Sequence, residues 1–449
     1  MRDRGHMGMA TLRLGLALAL AASPLACSRT NPFFCAGSPN GVCADAGSGS
    51  GGSSDAAVDA PAQHCGSAAD CTGDPGHPAC DTGKDGGTCV ECTGSDDGLC
   101  SGNTPTCSPD DTCVACGSDG DCSNGGACLA NGACADPSGV LFASPNGNGD
   151  CSAGSPCSFD TAVAIANGSA AVSFVIDLAA GTYPNTQENI DAHADIIGRG
   201  ATLVGNGGGG PVIDVVAGTV RLDFVTISKS PDVGVECDAG SMTLFAVSVL
   251  DSAQDGVDSN CDVTILRSKI ARNKNGGAHL SGGDIDVENT WIVRNGLGVN
   301  PSDPGLTMST TGTALVRFDT VAFNNIAGLT SAAGIQCITP VPVSQTIEVG
   351  NRAGGAPHAQ DSGCTDDPVT THVDATGNGS DLAFVDTAAL TFDFHLTATS
   401  PDTVRDVDGN NGSNCVGAID IDGSARPINA LCDLGADEFD PNNPDPTTR

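Results

Sequence analysis

Charged side chains recur at a spacing close to 22 residues in the middle of the chain. They are Lys229, Asp251, Arg272 and Arg294. Lys269 and Trp291 stand the same interval apart, and Trp291 is the only tryptophan of the sequence. If the repeating units stack, these residues share one face, where an indole beside basic groups can stack on a sugar ring. Trp291, Lys269 and Arg294 are therefore the candidate ligand-binding residues.

The same face suits a second chemistry. Cleavage of an acidic polysaccharide needs Lys or Arg groups that stabilise developing negative charge, together with carboxylates or calcium. Arg267, Lys269 and Arg272 are the candidate catalytic residues of such a lyase or hydrolase. A structural alternative stays open, in which the alternating charges pair across units and Trp291 packs under a loop of residues 297–313.

The segment 220–323 supplies the elements that position these side chains. Apolar residues repeat there at relative positions 0, 2, 5 and 7, with Ser268 and Thr290 as the exceptions. The five sets are Val220–Leu222–Val225–Ile227, Met242–Leu244–Val247–Val249, Val263–Ile265–Ser268–Ile270, Ile285–Val287–Thr290–Ile292 and Val316–Phe318–Val321–Phe323. Short alternating strands with a period near 22 indicate a solenoid, because one unit cannot bury its apolar face alone. We predict an all-β, right-handed parallel β-helix with one repeat per coil.

Two further positions of the repeat carry special residues. Position 14 holds Gly234, Gly256 and Gly277. Glycine there predicts a corner with a positive φ angle. Position 10 holds Ser230, Ser252, Asn273 and Asn295. These short polar side chains favour turns, and we expect them to hydrogen-bond along the stack.

The residues before the repeats suggest how the solenoid begins. Ser-Pro-Asn-Gly at 144–147 precedes a helical apolar pattern over 159–167, then a strand over 174–178 and Gly181-Thr-Tyr183. This order resembles the N-terminal entry of pectate-lyase-like β-helix proteins, in which the helix covers the open end of the solenoid. An uncovered end would expose core and unpaired strand edges, so a cap is expected on physical grounds as well.

The C-terminal region carries a second resemblance. It reads Asp393-Phe-His-Leu396, Ser400-Pro401, Asp420-Ile-Asp-Gly-Ser-Ala-Arg426 and Asp433-Leu-Gly-Ala-Asp-Glu438. This pattern is similar to the end of bacterial surface β-helix proteins classed as choice-of-anchor Q. Together the two resemblances imply a β-helix domain over 135–439 and a surface location, and they imply no reaction. Residues 440–449 are expected to form a disordered tail.

The start of the chain resembles an export signal. Arginines precede the apolar run 14–22, which is too short to span a membrane and is followed by small residues, so residues 1–26 are a predicted signal peptide. Cys27 resembles the lipidated cysteine of bacterial lipoproteins, although Leu25 stands one residue nearer to it than in the family pattern. The chain has 23 cysteines, and acylation of Cys27 would leave an even number for disulfides. Cleavage after Ala21 would give a secreted protein instead.

A tether and a cysteine-rich module are predicted to follow. Residues 27–64 are rich in Gly, Ser, Ala and Asp and should form a flexible coil. Residues 65–134 hold three units of four cysteines, which begin at Cys65, Cys92 and Cys116. The module has few large apolar residues, so we expect disulfides of open connectivity, with zinc at the Cys-x2-Cys pairs as the alternative. It resembles Cys-rich spacer modules on exported proteins of bacteria such as the myxobacteria.

Further disulfides are expected in the solenoid domain. The candidate cysteines are Cys151, Cys157, Cys237, Cys261, Cys337, Cys364, Cys415 and Cys432. Asp406, Asp408 and Asn410 form a partial calcium loop that lacks the glycine at position six and the terminal glutamate. We therefore predict no metal or cofactor, with calcium at this loop as the alternative.

The formal net charge of −36 bears on partners. It disfavours nucleic acid and anionic membranes, so membrane contact is expected through the lipid anchor alone. The leading hypothesis is a non-catalytic cell-envelope lipoprotein, at the outer membrane or cell surface, whose β-helix serves adhesion, glycan binding or a structural role. Its expected partners are extracellular polysaccharides or envelope proteins. The alternative is a polysaccharide lyase or glycoside hydrolase of the pectate-lyase-like class.

Overall fold

A computed structural model describes residues 64–442, except 66, 72–75, 84–86, 95–98, 123–124, 170–171, 329–331, 367–370, 374–381, 389–390, 408–414, 416–417 and 429–430. Three parallel sheets of ten, nine and eight strands dominate this part of the chain. We name them sheets A, B and C in that order. Each coil adds one strand to sheet A, then B, then C, which confirms the predicted all-β parallel β-helix.

The strands of the three sheets are short. Sheet A contains Val140–Ala143, Ser173–Leu178, His193–Ile197, Thr219–Asp223, Ser241–Phe245, Asp262–Leu266, Ile285–Glu288, Ala314–Arg317, Pro342–Ser344 and Thr365–Asp366. Sheet B contains Gly181–Thr186, Ala201–Gly205, Thr226–Ser228, Ser248–Leu250, Lys269–Ala271, Trp291–Val293, Thr320–Ala322, Ile347–Val349 and His372–Val373. Sheet C contains Glu188–Ile190, Ile213–Val215, Val235–Cys237, Val257–Ser259, Ala278–Gly282, Leu306–Thr310, Ile335–Cys337 and Asp361–Ser362.

The predicted register is confirmed for the first four repeats. Val220, Met242, Val263 and Ile285 pair successively across sheet A, and the residues at position 7 pair across sheet B. Their side chains form the buried core of the solenoid. Alternation along each strand therefore places positions 0, 2, 5 and 7 inside, as the apolar pattern predicts.

The fifth predicted set is wrong by two residues. Ala314, and not Val316, pairs with Ile285. A shift of two keeps the alternation of faces, so the apolar pattern alone does not reveal it. Phe318 and Phe323 consequently leave the solenoid core and occupy corners with positive φ angles. Both pack outside the coil, Phe318 against Cys415 and Cys432.

The predicted polar ladder is present at Asn273 and Asn295 and continues beyond them, but the serines do not extend it, because the Ser252 hydroxyl has no hydrogen-bond partner and the Ser230 hydroxyl donates to the Gly210 carbonyl. The Asn273 side-chain amide donates to Asn295 Oδ1 (3.0 Å), Asn295 donates to Asn324 Oδ1 (3.0 Å), and Asn324 donates to Asn351 Oδ1 (3.0 Å). These asparagines are fully buried or nearly so. A second ladder explains the polar exceptions in the apolar pattern, because the Ser268 N–H donates to Thr290 Oγ1 (3.3 Å) and the Thr290 N–H donates to Asp319 Oδ1 (2.8 Å).

The expectation of positive φ at the repeated glycines is wrong. Positive φ occurs instead at two corners occupied by other residues, at position 4 and at position 9. The position-9 residues are Lys229, Asp251, Arg272, Arg294 and Phe323. The glycines are required by close approach of the next coil, since a Cβ on Gly277 would lie 2.2 Å from the Gly305 carbonyl oxygen.

The N-terminal cap forms as expected. Helix Phe159–Asn167 begins at Ser158, whose hydroxyl accepts from the Thr161 N–H (3.2 Å). Phe159, Ala162, Val163 and Ala166 join the solenoid core from the open end. Residues of the helix thus cover the apolar interior of the first coil.

The cysteine-rich module is held by disulfides within each four-cysteine unit. In every unit the first cysteine pairs with the third and the second with the fourth. The bonds are Cys65–Cys80, Cys71–Cys89, Cys92–Cys107, Cys100–Cys113, Cys116–Cys128 and Cys122–Cys134. The described residues of this region also contain 3-10 turns at Ala68–Cys71, Asp119–Asp121 and Pro137–Gly139. Two antiparallel strand pairs lie there as well, Ala79–Asp81 with Thr88–Val90 and Thr106–Cys107 with Cys113–Val114. The cysteines that had suggested zinc are thus used in cross-links.

The solenoid domain has four more disulfides among its described residues. They are Cys151–Cys157, Cys237–Cys261, Cys337–Cys364 and Cys415–Cys432. A small sheet of Asn325–Ile326, Arg352–Ala353 and Ala356–Pro357 flanks the late coils. Within the described ranges no helix is long and apolar enough to cross a membrane. The predicted signal peptide, Cys27, most of the tether and residues 443–449 lie outside these ranges.

Among the described residues, the last solenoid strand is His372–Val373, before the predicted domain boundary. The described residues between 382 and 439, which we name the C-terminal segment, fold back over the outer face of sheet B. Strands Phe384–Asp386 and Asp393–Leu396 form an antiparallel pair there. Phe394, Leu396, Leu434 and Phe439 bury their side chains against residues of sheet B such as Ile347.

Candidate functional site at the interface of sheet B and the C-terminal segment

Trp291 lies at the centre of this interface. Its side chain is only 2% exposed. It meets the Phe394 ring edge-on at 6.1 Å and the His395 ring at 4.9 Å between centroids. The expectation of an exposed indole is therefore wrong. The structural alternative was right about burial, but the cover is the C-terminal segment and not the loop 297–313.

Lys269 pairs with Trp291 on the neighbouring strand of sheet B, as the repeat predicts. Its ammonium nitrogen lies 4.3 Å from the centroid of the Trp291 ring, within range of a cation–π interaction. Burial lowers the pKa of Lys269, and the charges of Asp422 and Asp393 oppose this effect. Both carboxylates belong to the C-terminal segment, which thus supplies counter-charge to the strip.

Arg267 is also held by the C-terminal segment. Its Nε–H donates to the Ile421 carbonyl (3.4 Å), and its guanidinium stands 5.2 Å from the Phe245 ring. Gly423 makes this approach possible, since a Cβ there would lie 2.5 Å from Arg267 Nη2, and its φ of +95° favours glycine in any case. Burial lowers the pKa of Arg267.

The remaining predicted residues lie at the edge of the interface. Arg272 forms a two-bonded ion pair with Asp251 (2.8 and 2.7 Å) and covers the Phe392 ring at 5.4 Å. Arg294 covers the Phe323 ring at 4.5 Å. The ladder of alternating charges thus pairs across coils at Asp251 and Arg272, as the structural alternative predicts. Sheet B brings Lys269 and Trp291 into direct contact, and it leaves Arg294 against a different aromatic ring.

His395 lies between two carboxylates. Asp393 contacts its Nδ1, and Asp422 Oδ2 lies 2.6 Å from its Nε2. Burial disfavours the charged imidazole, but the hydrogen bonds to Asp393 and Asp422 outweigh it and raise the pKa to about 9. His395 is therefore a protonated bridge between two carboxylates at neutral pH.

The oxygens and nitrogens of His395, Asp422 and Asp437 are close enough for a shared metal ion, within 4.8 Å of one another. A metal would require a neutral imidazole with a free nitrogen. Both nitrogens of His395 instead face carboxylates, and Lys269 and Arg267 already balance the negative charge. The arrangement fits an ion-pair network better than a metal centre.

A second buried network closes the C-terminal segment on itself. The side chains of Arg426 and Glu438 are fully buried, and Arg426 Nη1 donates to Glu438 Oε2 (3.1 Å). Arg426 also donates to the carbonyls of Asp433 (3.0 Å) and Gly435 (2.8 Å). Asp433 Oδ2 accepts from the Phe439 N–H (2.7 Å). Breaking one partner of such a pair leaves an uncompensated buried charge, so the network holds the segment in one conformation.

Sequence reasoning assigned no role to His395, Asp422 or Arg426. Their signal in the sequence was the C-terminal motif itself, in which charged and apolar residues alternate, as in Asp393-Phe-His-Leu396. The partial calcium loop is described only at Asp406, whose N–H donates to Asp433 Oδ1 (2.7 Å). Asp408 and Asn410 lie outside the described residues.

Comparison with known proteins adds a fold neighbour. No family model and no curated protein sequence matches the chain. Among solved structures, the crystal structure of pectate lyase Pel9A is similar, with 17% sequence identity and a TM-score of 0.41. The likeness covers 67% of this chain and 96% of that one. At this level it concerns the β-helix fold and gives no information about activity.

Proposed function

We propose that this chain is an exported, non-catalytic β-helix protein, anchored through Cys27 and presented at the cell surface for adhesion, glycan binding or a structural role. Its partners would be extracellular polysaccharides or envelope proteins. The cysteine-rich module would act as the spacer between the anchor and the solenoid. The surfaces available to a partner would then be the outer face of sheet C and that of sheet A beyond its first two strands, where Val140, Phe142 and Val175 pack against Ala127 and Leu129.

One observation carries the non-catalytic part of the proposal. The basic strip that a lyase or hydrolase would use is covered by the C-terminal segment, with Trp291 buried and Arg267 bonded to Ile421. Catalysis requires the polysaccharide to come within hydrogen-bond distance of the catalytic groups of the enzyme. A strip whose charges are already satisfied inside the protein is suited to holding two parts of the chain together.

The disulfides support export. Ten are present among the described residues, and most lie in a module with little apolar core. Disulfides persist in oxidising compartments and are rare in the cytosol. This is consistent with an extracellular or periplasmic location, and lipidation of Cys27 remains part of the proposal.

A polysaccharide lyase or hydrolase remains the alternative, and Lys269 is the residue that favours it. Burial lowers the pKa of its amine, which would leave more of it in the neutral form that can accept a proton. The C-terminal segment would then have to move before a substrate could reach it. Lys269→Met separates the two functions, because it removes the amine and keeps the length of the side chain.

The test measures binding and product on the same samples. The purified protein is incubated with a panel of neutral and acidic polysaccharides, and new reducing ends, unsaturated uronates and bound glycan are followed. Retained binding to one glycan without product supports the proposal. Product that disappears in Lys269→Met, and persists in the control Lys274→Met at an exposed lysine, would establish the alternative. Lipidation is tested separately by mass spectrometry, as an increase in the mass of the protein that Cys27→Ser abolishes.

A further inference from the structure

The outer face of sheet C carries a row of acidic residues. Asp214, Glu236 and Asp258 pair directly on three successive strands. Neighbouring strands are about 4.8 Å apart, and like charges placed directly opposite destabilise a sheet. Burial and neighbouring carboxylates raise the pKa of Glu236. The row therefore holds unfavourable charge in the absence of a cation.

Two other acidic residues on the solenoid have basic partners. Asp223 pairs with Arg221 (2.8 Å), and Glu288 pairs with Arg317 (2.9 Å). In the part of the chain that the structure describes, no lysine or arginine forms an ion pair with the row on sheet C. His279 stands opposite Asp258 on the next strand, and Asn189 stands opposite Asp214 at the other end of the row. Asp214 and Glu236 therefore have no basic neighbour across the strands of sheet C, which points to a cation that comes from solution.

Asp255 marks where such a cation would bind. It lies at the corner that leads into the Val257–Ser259 strand, and only 6% of it is exposed. Its Oδ2 accepts from the Asn275 side-chain amide (3.2 Å), and its Oδ1 is buried without a hydrogen-bond partner. A buried carboxylate oxygen with no donor is costly, so its presence requires compensation.

Asp303 lies near Asp255 and belongs to the loop that follows the Trp291–Val293 strand. The Asn275 amide donates to Asp303 as well as to Asp255. The backbone of Gly276 packs closely against both residues, since a Cβ there would lie 2.5 Å from Asp255 Oδ1 and 2.7 Å from Asp303 Cβ. Burial and the charge of Asp303 raise the pKa of Asp255 to about 6.

We propose that Asp255 and Asp303 bind a calcium ion at the corner between sheets B and C, with Asp258 contributing through its charge and through water. Calcium suits the site because it takes six to eight oxygen ligands in flexible geometry and accepts water among them. Magnesium is less suited because it demands near-octahedral geometry. This site is distinct from the partial loop at Asp406 and does not depend on the proposed surface function.

The test is calorimetric titration of the metal-free protein with calcium chloride, together with its melting temperature at 0 and at about 10 mM calcium. Dissociation constants of extracellular calcium modules are about 10⁻⁴ to 10⁻³ M. We expect a value in this range and a higher melting temperature with calcium. Asp255→Asn should weaken binding at least about tenfold, because it removes the charge at the ligand with the free oxygen.

Asp191→Asn is the matched control, since it removes one exposed carboxylate at the N-terminal end of the solenoid. It should bind calcium as the unchanged protein does. If Asp255→Asn does not fold, Asp303→Asn serves in its place. Absence of calcium binding would overturn the proposal, and so would binding that both Asp255→Asn and Asp303→Asn leave unchanged.

Discussion

Protonation of His395 should stabilise the docked C-terminal segment. Its pKa is about 9 in the folded protein and 6.5 in an unconstrained chain. Because the folded value is the higher one, the stabilisation is fully present below pH 6.5 and is lost as the pH rises to about 9 and beyond. This difference in pKa means that His395 contributes on the order of 3 kcal/mol to the free energy of unfolding at low pH.

The single tryptophan provides the assay. Trp291 is buried against Phe394 and His395, so its fluorescence should shift to the red when the segment leaves sheet B. Urea unfolding followed at pH 6, 7.5 and 9.5 would give the free energy of unfolding at each pH. His395→Gln is the comparison, because it keeps a side-chain hydrogen-bond donor without the charge.

Other groups also titrate in this range. Burial raises the pKa of Glu188 to about 8, for example, and its stabilising contribution is likewise lost as the pH rises. The readout is therefore the difference between the unchanged protein and His395→Gln, which should shrink by about 3 kcal/mol from pH 6 to pH 9.5. Equal pH dependence in both proteins would refute the reasoning.

Three further changes test the fold and the interface. Asn295→Ala should lower the free energy of unfolding by about 3 kcal/mol in urea, because buried groups of Asn273 and Asn324 lose their partners; a loss below about 1 kcal/mol would contradict a continuous ladder. Phe394→Ala should cost about 3–5 kcal/mol and expose Trp291 to an added quencher, whereas unchanged quenching would show that the cover does not depend on this ring. Gly277→Ala should reduce the melting temperature, since its Cβ meets the Gly305 carbonyl, while Gly154→Ala, which meets no atom within 4 Å, should not; equal effects would disprove close approach as the reason for glycine.

The repeat could be predicted from sequence because inward and outward residues alternate and every coil needs the same apolar positions. The prediction failed at the fifth set, where the insertion before Ala314 changes the spacing but preserves the alternation. The element that buries Trp291 could not be predicted, because it comes from residues about 100 positions further on that follow no repeat. The pairing of the module cysteines was likewise open, since spacing does not encode connectivity.

The disulfide pattern of the module has a mechanical consequence. In the first unit, the shortest covalent path from Cys65 to Cys89 runs along six residues to Cys71 and then through one disulfide, whose Cα atoms are 5.7 Å apart. Pulled at its ends, this path reaches roughly 27 Å, whereas the uncrossed chain of the same unit would reach roughly 84 Å, at about 3.5 Å per residue. A pull applied to the solenoid would therefore stretch this unit by less than about 27 Å before it loaded covalent bonds. Such a unit transmits tension as a short, stiff link and does not yield under load.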